Sequence, residues 1–522
     1  MTPSTFRGRP GPGRSHISVR VAHTVLGGAA GLVWLVLPTV PAGAGSDLAG
    51  PGTRAVAQGP EEDETATADL VLPLVAVGTA GALAAYGYVR RTRRARTPAV
   101  PARPAPGPAA PPPVAELEER CRRALIAADD SVRTSEEELG WAREQVGEEA
   151  VEPFARAVAE AREELTAAFR IRQRYDEGVP ADPAERRHAL AGIVGRCAEA
   201  GRRLDAESAG FDALRDLEGD GLPRALELAE TRFRELAGRT VTAESMFAEL
   251  AGRFPPSTRN PVTGYTEQAK DRLVFATTRL NQARQSADLG APARAAAHLR
   301  AAESAIAQAA VFLDALHRLD TSLAEAAALV PDALTEAAEI GSDTASAEDA
   351  VDVPVGEVRA RLLRLELVLT AVGEERAGGA YDPLDALRRI VRAVVPLGGG
   401  EDGVLGAAAR LVAEESVADA DAFVATHRGA VGAQARTRLA EARRLLGTGP
   451  EGRTDAEELA RQARHLAEQD VRVHGHPLAG TDAPGSGQGG AHVGGVLLDD
   501  APDDTPASFG GPAGRGRRTS AP

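Results

Sequence analysis

The run Asp216-Leu217-Glu218-Gly219-Asp220-Gly221, with Glu227 at the twelfth place, has the oxygen spacing of a calcium-binding loop. Carboxylates at places one, three, five and twelve converge on a hard cation, and glycine at place six permits a sharp turn. Three residues weaken the match. Glu218 stands where Asp or Asn belongs, Pro223 replaces the usual apolar residue, and Arg224 puts a cation beside the metal. The same residues suit an acidic connection between two helices, and that reading takes precedence. Asp216, Glu218, Asp220 and Glu227 therefore stand only as weak metal candidates, with no catalytic or cofactor-binding residue assigned.

Gly398-Gly399-Gly400-Glu401-Asp402-Gly403 has the glycine spacing of a dinucleotide loop. Such a loop needs a strand before it and a parallel sheet around it. Here a helical segment precedes it, and Glu401 and Asp402 would face phosphate, so a flexible connector is expected. A phosphate-binding P-loop needs Gly-Lys-Ser/Thr, and the sole lysine is Lys270, between Ala269 and Asp271. Neither a zinc-protease nor a serine-hydrolase motif occurs, and His474-Gly475-His476 reads as tail.

The elements that would position such groups are helices. The 522 residues are 43% hydrophobic but only 3% aromatic, which argues against a β-sandwich or a deep ring-lined pocket. Alanine, leucine and valine supply the apolar surface, and small side chains let helices pack closely. From Val114 to about Gly475 several stripes advance in steps of three and four, as a coiled-coil seam does. They are Phe154, Val158, Ala161, Leu165, Ala168; Leu273, Ala276, Leu280, Ala283, Ala287; Leu299, Ala302, Ile306, Ala309, Leu313, Leu316; and Val358, Leu362, Leu365, Leu369, Val372. Arg300 and Glu303 fall beside the third stripe, on a face expected to be exposed. Asp182-Pro183 and Asp382-Pro383 are helix starts, each with a capping Asp and Pro at the first helical position. Breaks are expected near Gly147, Gly178, Pro255-Pro256, Gly290, Gly341 and Gly398. The fold class expected is all-α: one transmembrane helix, then an elongated antiparallel bundle or coiled-coil-like array at 114–475, without a sheet.

Residues 1–44 read as a signal peptide: four early arginines, an apolar core from Val21 to Leu37, and small residues before a cleavage point after Ala44. A retained first membrane helix is the alternative. Segment 45–69 is short and acidic. Leu70 to Val89 holds no charge and is long enough to cross a bilayer, about 30 Å at 1.5 Å per residue. Five arginines between Arg90 and Arg96 follow it, which places that end and everything after it in the cytoplasm. Cys121 and Cys197 are then free thiols in a reducing compartment. Residues 90–113 join this stop signal to a proline-rich spacer, and 476–522 reads as a disordered Gly/Pro-rich tail. Residues 114–475 carry a formal net charge of −18, more negative than the −15 of the whole chain, which argues against nucleic acid and anionic lipid as direct partners of that body.

Arg133-Thr-Ser-Glu-Glu-Glu-Leu-Gly140, Glu267 to Thr277, Tyr381 to Arg389, Thr426 to Ala440 and Leu466 to Asp470 resemble the cytoplasmic helical region of TPM-domain membrane proteins of high-GC Gram-positive bacteria. Ser508-Phe-Gly-Gly511 is similar to that family's Gly-rich tail. The resemblance implies an extracytoplasmic TPM domain, linked to phosphatase-like or assembly roles, between signal peptide and span. Only residues 45–69 occupy that place, too few to bury a core. No TPM activity or site residue carries over. The function expected is a non-catalytic, membrane-anchored cytoplasmic scaffold that binds a protein partner or itself, with no cofactor. The alternatives are a remnant of a TPM-type phosphatase or assembly factor, and a calcium- or stress-responsive regulator.

Overall fold

A computed structural model describes residues 112–346, 354–474, 492–493, 496–497 and 508–514. By its contacts the chain divides into Met1–Pro108 and Ala109–Pro522, and every described residue belongs to the second unit. The stretch 1–44 read as a signal peptide, the Leu70–Val89 segment and nearly all of the proline linker lie outside the described residues. Among the described ones, no helix is long and apolar enough to cross a membrane.

The described part is all-α apart from an antiparallel pair of two-residue strands, β1 (His492–Val493) and β2 (Val496–Leu497), which the sequence did not announce. Helices α1 (Val114–Val146), α2 (Glu148–Glu177) and α3 (Pro183–Arg215) pack around Cys121, Leu125, Phe154, Leu165, Leu190 and Leu204. Gly147 alone joins α1 to α2, at φ 94°, where an L side chain is strained. Asp182 caps α3 as its spacing predicts, its carboxylate accepting the N–H of Ala184 at 3.0 Å.

A second core gathers α4 (Leu222–Arg253), α6 (Tyr265–Asp288), α7 (Pro292–Ser346), α8 (Val355–Gly378), α9 (Pro383–Val394) and part of α10 (Gly403–Thr426), with the one-turn α5 (Pro256–Arg259) between α4 and α6. Its axis is α7, which touches α4, α6, α8, α9 and α10 and is about 80 Å long at 1.5 Å per residue. The seam Leu299, Ala302, Ile306, Ala309, Leu313, Leu316 is buried throughout, in the same core as Leu273, Ala276, Leu280 and Ala283 of α6. The turn between them closes on Gly290 at φ 67°, with Gly290 and Ala291 donating to the carbonyls of Ala287 and Ser286. A third core joins the end of α10 to α11 (Ala433–Leu446) and α12 (Arg453–Val473) through Val424, Leu439, Ala460 and Ala463.

Three expectations are corrected. Gly341 is not a break: α7 runs through it to Ser346, and a Cβ there would lie 3.0 Å from Leu365 Cδ2, so the glycine marks the close approach of α8. Neither Arg300 nor Glu303 is on an exposed face: Glu303 is 1% exposed and Arg300 is largely covered, donating to Asp212 at 3.2 Å, because α7 is covered on more than one side. Nor is the tail without order throughout, since Ser508–Gly511 are buried and Phe509 belongs to the first core. Between Val395 and α10 the glycine-rich run is an ordered connector. Glu336 of α7 accepts the N–H groups of Val404 and Leu405 at 2.9 and 3.1 Å, capping α10 from outside its own sequence.

Candidate functional site

Helix α10 is mostly apolar, yet Glu415 and Asp419 stand one turn apart in it and face a cleft of about 280 Å³ between α5, α7, α9 and α12. Glu415 accepts the Ser322 hydroxyl at 2.8 Å and lies 3.4 Å from Arg318 Nε. Burial pushes its carboxyl up to about 7, against the pull of Arg318. Asp419 is raised by the same cause, and Arg464 of α12 donates to it at 2.8 Å. Arg464 also bonds Glu468 at 3.0 Å and lies 4.0 Å above the Phe423 ring. Thr258, on the α5 side, is buried and its hydroxyl has no partner. Chemically, Glu415 is placed to take and release a proton near neutrality. A larger open depression of about 690 Å³ between α1 and α2 has no such converging groups, and Arg162 pairs with Glu136 across it.

Buried ion pairs join the three cores. The Arg215 side chain is fully enclosed: it donates to Glu138 at 2.7 Å, to Glu303 at 2.6 and 3.0 Å, and to Gln145 at 3.2 Å. Thus α1, α3 and α7 meet on one cation. Burial raises the Glu303 carboxyl, and Arg215 opposes that. Arg436 of α11 reaches back to Asp129 and Asp130 of α1 at 2.5 and 2.7 Å. Burial would raise Asp129, but Arg133 and Arg436 hold it at about 2.

The calcium-loop residues form a different object. Asp216 ends α3 at φ 43°, and its carboxylate accepts the N–H of Asp220 at 2.8 Å, winding the turn on itself. Its carbonyl takes the N–H groups of Gly219 and Gly221, so α4 begins at Leu222 and Glu227 lies well inside it. Glu218, Asp220 and Glu227 are exposed, and Arg224 is drawn off to the Gln145 carbonyl at 2.6 Å. Among the described residues, no group of three or more His, Cys, Asp or Glu is placed to hold a metal ion.

Over 422 residues the chain is 30% identical to two curated proteins of Mycobacterium tuberculosis, UPF0603 protein MT2410 of strain CDC 1551 / Oshkosh and UPF0603 protein Rv2345 of strain H37Rv. It is homologous to both. The match takes in 74% of this chain and 62% of each relative, so the chain spans about three fifths of the relatives' length. No family model matches, and no solved structure does.

Sequence reasoning missed the cleft. Ser322 and Glu415 are 93 positions apart, and Asp419 and Arg464 are 45 apart, so no local spacing announces them. One signal was present: four carboxylates, Glu414, Glu415, Asp419 and Asp421, interrupt the apolar run of α10, and Glu415 and Asp419 stand at i and i+4.

Proposed function

We propose that the chain is a membrane-anchored helical scaffold whose body, from Val114 onward, lies in the cytoplasm and holds protein partners or a second copy. The charge-free segment Leu70–Val89 with the arginines behind it supports the anchoring. The resemblance of the helical segments to the cytoplasmic region of TPM-domain proteins supports the placement of the body.

The observation that carries the scaffold reading is the use of charge inside the body. Arg215, Arg436 and Arg464 each draw together helices that are distant in sequence. Buried pairs of this kind do little for net stability against an apolar replacement, but breaking one is costly, so they hold helices in one arrangement. A fixed arrangement is what a platform for partners needs. In the cleft, Glu415 is engaged by Ser322 and Arg318, and Asp419 by Arg464. That is a salt-bridged lining rather than a nucleophile with its base and an orienting group, which supports a non-catalytic role.

The test is proximity labelling from the full chain in its membrane, together with a phosphatase reporter fused after Arg96. A reproducible set of cytoplasmic neighbours and a silent reporter are expected. An active reporter would overturn the placement. Hydrolysis of a phosphomonoester by the purified full chain, lost in Glu415→Gln, would restore the enzymatic alternative.

A further inference from the structure

Residues 508–514 lie far along the chain from the first core, yet they are built into it. Phe509 is 0% exposed. Its ring stacks on Phe211 of α3 at 4.3 Å and meets Phe154 of α2 edge-on at 6.0 Å, while those two rings meet each other edge-on at 5.3 Å. An aromatic side chain between two others is a strong apolar anchor with defined geometry.

The backbone around that anchor is read by side chains of the helices. Gly510 N–H donates to Ser135 Oγ of α1 at 3.2 Å. The N–H groups of Gly511 and Gly514 both donate to Asp205 Oδ1 of α3 at 2.9 Å. Glycine is required on both sides of the contact. A Cβ on Gly511 would stand 2.2 Å from the Gly201 carbonyl oxygen, and a Cβ on Gly201 would stand 2.9 Å from Pro512 Cδ. Gly510 has φ 133°, which L residues rarely adopt.

We propose that α1, α2 and α3 form a recognition site for a bent Phe-Gly-Gly-Pro segment, occupied by the chain's own Ser508–Gly514. The Phe154–Phe211 pair selects the ring, Gly201 admits the two-glycine backbone, and Asp205 with Ser135 takes its N–H groups. The site straps the C-terminal segment to the first helices of the body. Because the segment is tethered to its own site, a free peptide of the same sequence competes at a disadvantage. The site is separate from the polar cleft and does not depend on the scaffold reading.

The test is amide hydrogen exchange on the full chain, comparing wild type with Phe509→Ala and Gly511→Val at two protein concentrations. The amides of Gly510 and Gly514 should be protected in the wild type at both concentrations and exchange faster by roughly tenfold or more in both variants. The amides of α1, α2 and α3 serve as the fold control. Should Phe509→Ala disturb them, Gly511→Val decides, since it removes no core side chain. A fluorescent peptide of residues 506–515 should bind the tail variants saturably and the wild type more weakly by about tenfold or more. Gly201→Leu in a Phe509→Ala background should abolish peptide binding with helicity unchanged. Unprotected tail amides in the wild type would overturn the proposal. So would protection that appears only with a concentration-dependent dimer, because the occupant would then be the segment of a second copy.

Discussion

Arg215 has an acceptor for each of its guanidinium nitrogens, and two of its partners, Glu138 and Glu303, come from different helices. The three charges offset each other's desolvation only as a set. Arg215→Leu, which fills much of the space, should therefore still cost about 3–5 kcal/mol, because it strands two buried carboxylates. Glu303→Ala belongs to the same class and should cost several times what an exposed change costs. Denaturant unfolding of the full chain measures both, and a loss below about 1 kcal/mol for either would mean the junction is solvated. The cysteines show a different consequence of burial. Burial pushes the Cys197 thiol up to about 12 and raises Cys121 as well. Both belong to the first core and both are free. At pH 8 neither should react with a thiol reagent in the folded chain, and both should react once denaturant opens the core. Fast labelling of the native protein would contradict that burial.

Helices were legible in the sequence because their signals are local. Steps of three and four identified the faces that meet, and Asp182 and Asp382 announced their helices by residue type alone; both side chains accept a backbone N–H from the first turn. What could not be read there is whatever depends on a second or third neighbour. Glu303 resembles a surface residue until α1 and α3 cover that side of α7. Gly341 resembles a break until α8 comes close enough to need the space. Phe509 sits in a Gly/Pro-rich stretch whose composition gives no hint of the aromatic pair that receives it. Ser322 and Glu415 meet only because α7 and α10 pack together. The seam between α6 and α7 is the element where spacing and structure agree best, so it gives the clearest packing test. Ala302 is fully buried, and Ala302→Leu should strain the interface by about 1–3 kcal/mol. Ile306→Ala should open a cavity and cost about 2–5 kcal/mol. Chemical unfolding distinguishes these from a solvent-facing stripe, on which both changes would be nearly neutral.

Among the buried groups that set stability against pH across the body, two near the third core act in opposite senses. Burial raises Glu415 from about 4.5 to about 7, so the folded chain holds a proton there that the unfolded chain releases. That contribution is fully present below pH 4.5 and is lost as pH rises toward 7. His427 is stacked on Phe423 at 4.2 Å, and burial lowers it from 6.5 to about 4. Its neutral ring suits the fold, so its contribution is present above 6.5 and is lost as pH falls toward 4. Each shift corresponds to about 3 kcal/mol at 1.36 kcal/mol per unit, and the two windows overlap. In the wild type these two slopes oppose each other between pH 4.5 and 6.5, and Asp419 and Glu303, also raised by burial, add to the carboxylate side. Glu415→Gln, which keeps an acceptor for Ser322, should shift the slope across that window toward a rise with pH relative to the wild type. His427→Gln should expose the carboxylate and make stability fall across it. Urea unfolding at pH 4.5, 5.5 and 6.5 on the wild type and both variants reads the two slopes directly. Opposite shifts from the wild-type slope are the expected result; equal slopes in all three chains would mean that neither group is held away from water as the packing of α7, α10 and α12 requires.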